Sequence, residues 1–259
     1  MKVELISYNP DAEKIVAAAA KLCYSPSTIE NIMDGLDEQK TASFVEMLAE
    51  MGHESPIEHA TFTFGIEGVS RVLLAQITRH RIASFSVQSQ RYVSENQFDY
   101  IIPPQIEAIP EAKAEFLSAM KNDQEHYNKL TAILKQHHYE KLISEGKSEK
   151  AASNLAKKSA IEDARFVLPN ACDTKLIMTI NCRSLLNFLS QRCCNRAQWE
   201  IHMLADEMFS LVYNVAPHIF AKAGPPCLRG NCPEGKMTCG KLDDVREYYK
   251  KLRILKDSL

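Results

Sequence analysis

Two stretches of this 259-residue chain carry arginines and no acidic side chain, and any fold it adopts has to supply those cations with anions or water. Residues 68–94 hold Arg71, Arg79, His80, Arg81 and Arg91 without one Asp or Glu, and residues 174–199 hold Lys175, Arg183, Arg192 and Arg196 on the same terms. The whole chain has a formal net charge of -2, so both windows stand against a slightly acidic background. A cation withdrawn from water with no carboxylate beside it needs an anion from elsewhere. Two readings follow: the windows converge on one localised anion site, or their arginines are solvated and scattered. The net charge itself offers no long-range pull towards nucleic acid or a membrane surface.

The composition, 45% hydrophobic and 25% charged, is that of an ordinary soluble globular protein. No segment offers the roughly 18 consecutive apolar residues of a membrane span, and the first residues lack an apolar run with a cleavage site, so a cytoplasmic protein is expected. A strand is predicted over residues 2–8, a helix from Asn9-Pro10-Asp11 to about Cys23, and a second helix over 37–51 with Gly52 as its stop. Residues 53–59 read as a turn, 60–66 as a strand, and 71–80 as a helix capped by Ser70. A polar and aromatic segment, 84–102, leads to charged helices over about 110–146 and 148–166. A strand over 175–180 then precedes helices over 184–194 and 197–222, the last bent or broken at Pro217. This pattern predicts a helix-rich α/β (α+β) fold around a small central sheet, as a single domain over residues 1–259 with a Cys/Gly/Pro-containing C-terminal segment, 224–259.

The densest polar cluster runs from Gln76 to Tyr92. Arginine forks match phosphate oxygens, and hydroxyls with free backbone amides fill the remaining acceptor positions. Complementing a helix C-terminus accounts for Arg79, His80 and Arg81, but it does not call for the Ser89 and Arg91 that follow.

Arg79-His80-Arg81, seven residues, then Ser89 matches the Arg-His-Arg-x7-Ser signature of the flavin-dependent thymidylate synthases. The similarity extends to His53-Glu54-Ser55-Pro56-Ile57-Glu58-His59 upstream and to Asn181-Cys182-Arg183-Ser184-Leu185-Leu186-Asn187 downstream, with Arg192 and Ala197-Gln198-Trp199-Glu200-Ile201 at the family's spacing. The chain resembles that family from about residue 50 to residue 225. The resemblance implies reductive methylation of deoxyuridine monophosphate (dUMP) to dTMP, with FAD as cofactor and methylenetetrahydrofolate and NADPH as co-substrates. It also implies a homotetramer whose sites are shared between subunits.

Position by position, the resemblance assigns dUMP to Gln76, Arg79, Val87, Gln88 and Ser89, together with Gln90, Arg91, Arg165 and Arg192. It assigns FAD to His53, Ser55, Glu58, Arg79 and His80, together with Arg81, Ile82, Asn181, Arg183 and Asn187. Arg192, His53 and Ser89 are the expected catalytic residues: Arg192 nearest the uracil, His53 positioning the folate, and Ser89 as a substrate ligand rather than a covalent nucleophile. One departure stands out, because the family commonly has Asn-Glu where this chain has Ser86-Val87. Val87 has no carboxylate, so a contact there uses its backbone. The role of Arg196 is left open. A different class of function, an RNA- or single-strand-binding module with Phe85 or Tyr92 stacking on bases, is the alternative reading of the basic windows.

No Gly-x-Gly-x-x-Gly follows a predicted strand, which excludes a glycine-turn dinucleotide site. Pro56 breaks the helix that a His-Glu-x-x-His metal site requires of His53, Glu58 and His59, and His137-His138 reads as solvated surface, so no metal is expected. The weak alternative is Cys227-x4-Cys232-x6-Cys239, one ligand short of a structural zinc site. Cys23, Cys172 and Cys182 read as small buried hydrophobes, and the even count of eight cysteines does not imply disulfides in a cytoplasmic chain. Pro225-Pro226-Cys227 resembles the nucleophile turn of the flavin-free thymidylate synthases, but the rest of that family's pattern is missing.

Overall fold

The computed structural model describes residues 1–90 and 98–254. In chain order its main elements are β1 (Lys2–Tyr8), α1 (Ala12–Leu22), α2 (Ile29–Asp34), α3 (Glu38–Met51), β2 (Thr61–Ser70), α4 (Arg71–Ile77) and β3 (Ala83–Val87). There follow α5 (Pro104–Glu107), α6 (Pro110–Ser144), α7 (Glu149–Ala164), β4 (Asp173–Asn181), α8 (Cys182–Arg192), α9 (Trp199–Val215), α10 (Pro217–Phe220) and α11 (Leu242–Ile254). This is the expected helix-rich α/β fold around a small sheet. The chain divides into two compact units: residues 1–67, 75–86 and 176–259 form one, and residues 68–74 with 87–175 form the other.

The sheet has the order β1-β2-β4-β3, with β1 and β2 antiparallel. Side chains alternate across a strand, and β2 follows its own sequence pattern: Phe62, Phe64 and Ile66 are buried while Thr61, Thr63 and Gly65 are partly open. Leu176, Met178 and Ile180 do the same on β4. The hydroxyls of Thr63 and Thr179 meet at 2.9 Å on the other face. Helix ends are fixed locally. Asp37 Oδ1 accepts from the Lys40 amide at 2.8 Å to start α3, and Gly52 at φ 71° ends it in the left-handed region that costs glycine least. Asn181 starts α8 by accepting from the Ser184 amide at 2.9 Å, which moves the start of this helix two residues ahead of the expected Ser184. The helix after Gln198 stops at Val215, and Pro217 opens the separate α10, as expected of a proline at that point.

In the second unit α6 packs along α7. Ala152, Ala156, Ala160 and Ala164, spaced by one turn, are buried and make α7 a smooth face, while α6 buries Met120 and Tyr127. Phe98, Met120 and Cys172 form a small core there with Tyr100 and Phe116. The Gln88 amide donates to the Lys175 carbonyl at 3.0 Å, so both ends of segment 87–175 meet.

Four sequence expectations are corrected. β2 runs four residues further than expected, to Ser70; the following helix ends at Ile77 instead of His80, because the chain turns there through Arg79 N–H to Gln76 O and His80 N–H to Ile77 O. Cys23 is exposed just beyond α1, unlike Cys172 and Cys182, which are buried as expected. His138 is half-buried with its Nε2 shut away from solvent, so only His137 is the surface residue expected of that pair. All eight cysteines are free thiols.

Candidate functional site

A cavity of about 960 Å3 lies wholly within the first unit. Four pieces of chain build its polar wall, one of them the turn that carries Lys222 and Arg229. The left-handed turn at Gly52 lifts His53 and Glu54 off the end of α3, and the short 3-10 turn Pro56–His59 buries Ile57 while leaving Glu58 outward. The loop between α4 and β3 supplies Arg79, His80, Arg81 and Ile82. On α8, Cys182, Leu185, Phe188 and Leu189 face the core, so Arg183, Asn187 and Gln191 occupy the opposite stripe at four-residue spacing and face the cavity with Arg192.

Arg192 Nε donates to His80 Nε2 at 3.1 Å, and the His80 ring meets Phe188 edge-to-face with centroids 4.9 Å apart. Burial, and then the Arg192 charge, pull the His80 pKa down to about 4. His80 is therefore neutral at pH 7, and because the guanidinium can only donate, the imidazole proton sits on Nδ1. Burial and then the neighbouring Arg79 charge also lower Arg192 from its ordinary value, though an arginine stays protonated. Arg183 is anchored differently: it donates to Glu58 Oε1 at 2.6 Å and to Glu54 Oε2 at 3.1 Å. The first of these contacts is the main reason its pKa is raised.

The depressed His80 has a measurable consequence. In the unfolded chain an imidazole binds its proton near pH 6.5, so between that pH and about 4 the unfolded state holds the extra proton. Stability contributed by neutral His80 is complete above pH 6.5 and is lost as the pH falls towards 4. A ring-resolved NMR titration is expected to place the His80 midpoint near 4; a midpoint near 6.5 rejects this environment.

Of the residues matched to FAD, His53, Glu58, Arg79, His80, Arg81, Ile82, Asn181, Arg183 and Asn187 line this cavity, and Ser55 does not. Ser55 precedes the 3-10 turn and is exposed. Of the described residues matched to dUMP, only Arg79 and Arg192 line it. Gln76 is on α4 in the same unit, while Val87, Gln88, Ser89, Gln90 and Arg165 belong to the second unit. There Arg165 Nε donates to the Glu162 carbonyl at 3.1 Å. Arg91 lies outside the described residues. Sequence reasoning missed Glu54, Ser190, Gln191, Lys222 and Arg229 in the wall. Glu54 sat inside a quoted motif and Gln191 one helical turn beyond Asn187, so both carried a signal; Lys222 and Arg229 flank a Gly-Pro turn that drew notice for its cysteines alone. Arg196, whose role was open, bonds Glu234 at 2.7 Å and the Met237 carbonyl at 2.9 Å.

The cavity wall holds six permanent cations, Arg79, Arg81, Arg183, Arg192, Lys222 and Arg229, against two carboxylates, both committed to Arg183. The four of these that come from the acid-free windows, Arg79, Arg81, Arg183 and Arg192, beside a neutral imidazole and the amides of Asn181 and Asn187, fit an elongated polyanion such as a dinucleotide pyrophosphate. Arg79 and Arg81 of one acid-free window and Arg183 and Arg192 of the other share the cavity, while Arg71 and Lys175 belong to the second unit and Arg196 pairs with Glu234, so the windows converge in part; nothing supports the alternative of an open nucleic-acid track. Among the described residues no three His, Cys, Asp or Glu side chains are grouped to hold a metal, and no helix is long and apolar enough to cross a membrane.

Residues 4–218 match the family model of the thymidylate synthase complementing protein. The chain is 53% identical to a flavin-dependent thymidylate synthase of Clostridium tetani, covering 96% of this chain and 97% of that one. It is 43% identical to another from Geobacter sulfurreducens, covering 98% and 100%. In fold it is similar to the crystal structure of flavin-dependent thymidylate synthase ThyX from Helicobacter pylori complexed with FAD and dUMP, at a TM-score of 0.59 and 23% identity over 86% of this chain and all of that one. With this extent of match, and with Arg79, His80 and Arg81 of the signature on one cationic wall, the chain belongs to the flavin-dependent thymidylate synthases.

Proposed function

We propose that this chain methylates dUMP to dTMP, taking the one-carbon unit from methylenetetrahydrofolate and releasing tetrahydrofolate, with FAD as the bound cofactor and NADPH as the reductant. The observation that carries this reading is the cavity in which nine of the ten flavin-matched side chains meet under a surplus of positive charge. When bound and reduced, FAD supplies the hydride that completes the methyl group.

The chain's own groups bind, orient and neutralise. Arg79 and Arg81 complement phosphate oxygens, and His80, neutral with its proton on Nδ1, offers one donor without adding a charge. Arg183, braced by Glu54 and Glu58, presents its remaining N–H groups from a fixed position. His53, raised on the Gly52 turn, positions the folate. Arg192 stabilises negative charge developing on the pyrimidine. Gln76, Val87 through its backbone, Gln88, Ser89, Gln90, Arg91 and Arg165 bind the nucleotide, with sites completed between subunits of a homotetramer. No covalent nucleophile is assigned, and burial raises the Cys227 thiol above its ordinary pKa, which leaves it a poor thiolate source at neutral pH. Residues 1–259 serve as one catalytic domain, acting in the cytoplasm.

Purified protein is expected to be yellow, to release FAD rather than FMN on denaturation, and to scatter light as about four chain masses. A colourless protein that also fails to take up added FAD refutes the reading.

A further inference from the structure

The match to the family model ends at residue 218, but the cavity wall continues past it: Lys222 and Arg229 are contributed by the chain beyond. Arg229 Nη1 donates to the Lys222 main-chain carbonyl, which closes the turn between the two residues. Gly224 makes that turn possible at φ 112°, where a Cβ would also strike Leu228 Cδ1 at 2.7 Å. Arg253 on α11 backs the turn by donating from Nη2 to the Ala223 carbonyl at 3.0 Å, with its guanidinium over the Phe209 ring and its Nε buried without a partner. Arg229 is close enough to add to the effect of burial in lowering the Arg253 pKa.

Among the described residues neither Lys222 nor Arg229 has a carboxylate partner, and the two carboxylates of the cavity are both held by Arg183. Both side chains are exposed. Arg79, Arg81 and Arg183 are exposed as well, so it is their position on a separate turn of the chain that sets Lys222 and Arg229 apart. The flavin-matched cations Arg79 and Arg81 stand on a different loop and inside the family match.

We propose that Lys222 and Arg229 form an oxyanion subsite for the charged end of a co-substrate entering the flavin cavity. The inference rests on the function proposed above. Two co-substrates bear such a group, the 2'-phosphate of NADPH and the glutamate carboxylates of the folate, and the same chemistry recognises either.

The test uses flavin-loaded, full-length protein with Lys222→Gln, Arg229→Gln, the double change, and Arg229→Lys as the conservative control. Steady-state KM is measured for NADPH, NADH, dUMP and methylenetetrahydrofolate carrying one or several glutamates, with flavin content read from absorbance. The double variant is expected to raise KM for one co-substrate by about tenfold or more, while kcat, flavin content and the KM for dUMP stay near the parent values. Arg229→Lys is expected to recover part of the loss. If phosphate is the guest, the preference for NADPH over NADH shrinks; if carboxylate is, the advantage of polyglutamyl folate shrinks. Either result supports the subsite. Unchanged KM for both co-substrates overturns it, and so does loss of flavin with both KM values unmoved. A parent protein that takes up no FAD fails the underlying reading before any variant is compared.

Discussion

Arg192→Ala is expected to lower thymidylate formation at saturating dUMP by roughly 10²- to 10³-fold, the scale seen when one preorganised donor to a developing charge is removed. Arg192 is half-buried, and both burial and Arg79 work against its charge, so the fold holds a cation where the local environment disfavours one. Such a charge gains most when negative charge appears beside it, because little water is present to compete. Its Nε is already committed to His80 Nε2 at 3.1 Å, which aims the remaining N–H groups. Anaerobic reduction of the flavin by NADPH does not create negative charge on the pyrimidine and is expected to persist in this variant. The comparison is between that reduction, followed by stopped-flow absorbance, and dTMP formation. Normal turnover at saturation would remove Arg192 from the chemistry and leave it a binding residue.

Phe188→Ala is expected to cost about 3 to 5 kcal/mol of stability, since a fully buried aromatic side chain leaves both lost transfer energy and a cavity. The effect reaches beyond packing because the His80 ring leans on Phe188 at an interplanar angle of 74°. Without that contact His80 is free to leave the Arg192 bond, so flavin affinity is expected to fall together with stability. Phe188→Leu, which fills most of the volume, is expected to lose much less of both. Urea denaturation and FAD titration of the two variants decide the matter: a loss below about 1 kcal/mol for Phe188→Ala would contradict the packing described here.

The parts of the fold with strong periodicity were legible in the sequence. β1, α1, α3 and β4 follow apolar spacing, with α3 bounded by Asp37 and Gly52, while the charged helices α6 and α7 were legible from their boundaries at Pro110, Gly146 and Ser148. β3 escaped because Ala83–Val87 alternates serine with apolar residues inside a polar segment and so carries only a weak strand signal. α2 is a six-residue helix, too short to show an apolar stripe, whereas α11 does carry one in Leu242, Val245, Tyr249 and Leu252, inside the segment 224–259 that was read for its cysteines, glycines and prolines. Of the site, the flavin-matched residues from the loop before β3 and from α8 were legible because each lies within a contiguous motif. Lys222 and Arg229 were not, since their meeting depends on a glycine turn and on Arg253, more than twenty residues away along the chain. No local pattern encodes such a long-range contact.

The junction where the Gln88 amide meets the Lys175 carbonyl bears on how the polypeptide acquires its shape. The first unit is discontinuous, and its last segment begins only after residue 175. Closing so long a flexible excursion carries an entropic cost of about 4 kcal/mol before any non-local contact rewards it. The intervening segment is dominated by the α6–α7 hairpin, whose contacts are local and form early. Once that hairpin and its base have formed, positions 88 and 175 are already side by side, and the cost has been met within the excursion itself. The wall carrying Arg183 and Arg192 is thereby delivered to the wall carrying Arg79 and His80 as if the chain between them were a short turn. Changes that loosen the base of the hairpin are therefore expected to slow folding of a cavity whose residues they never touch.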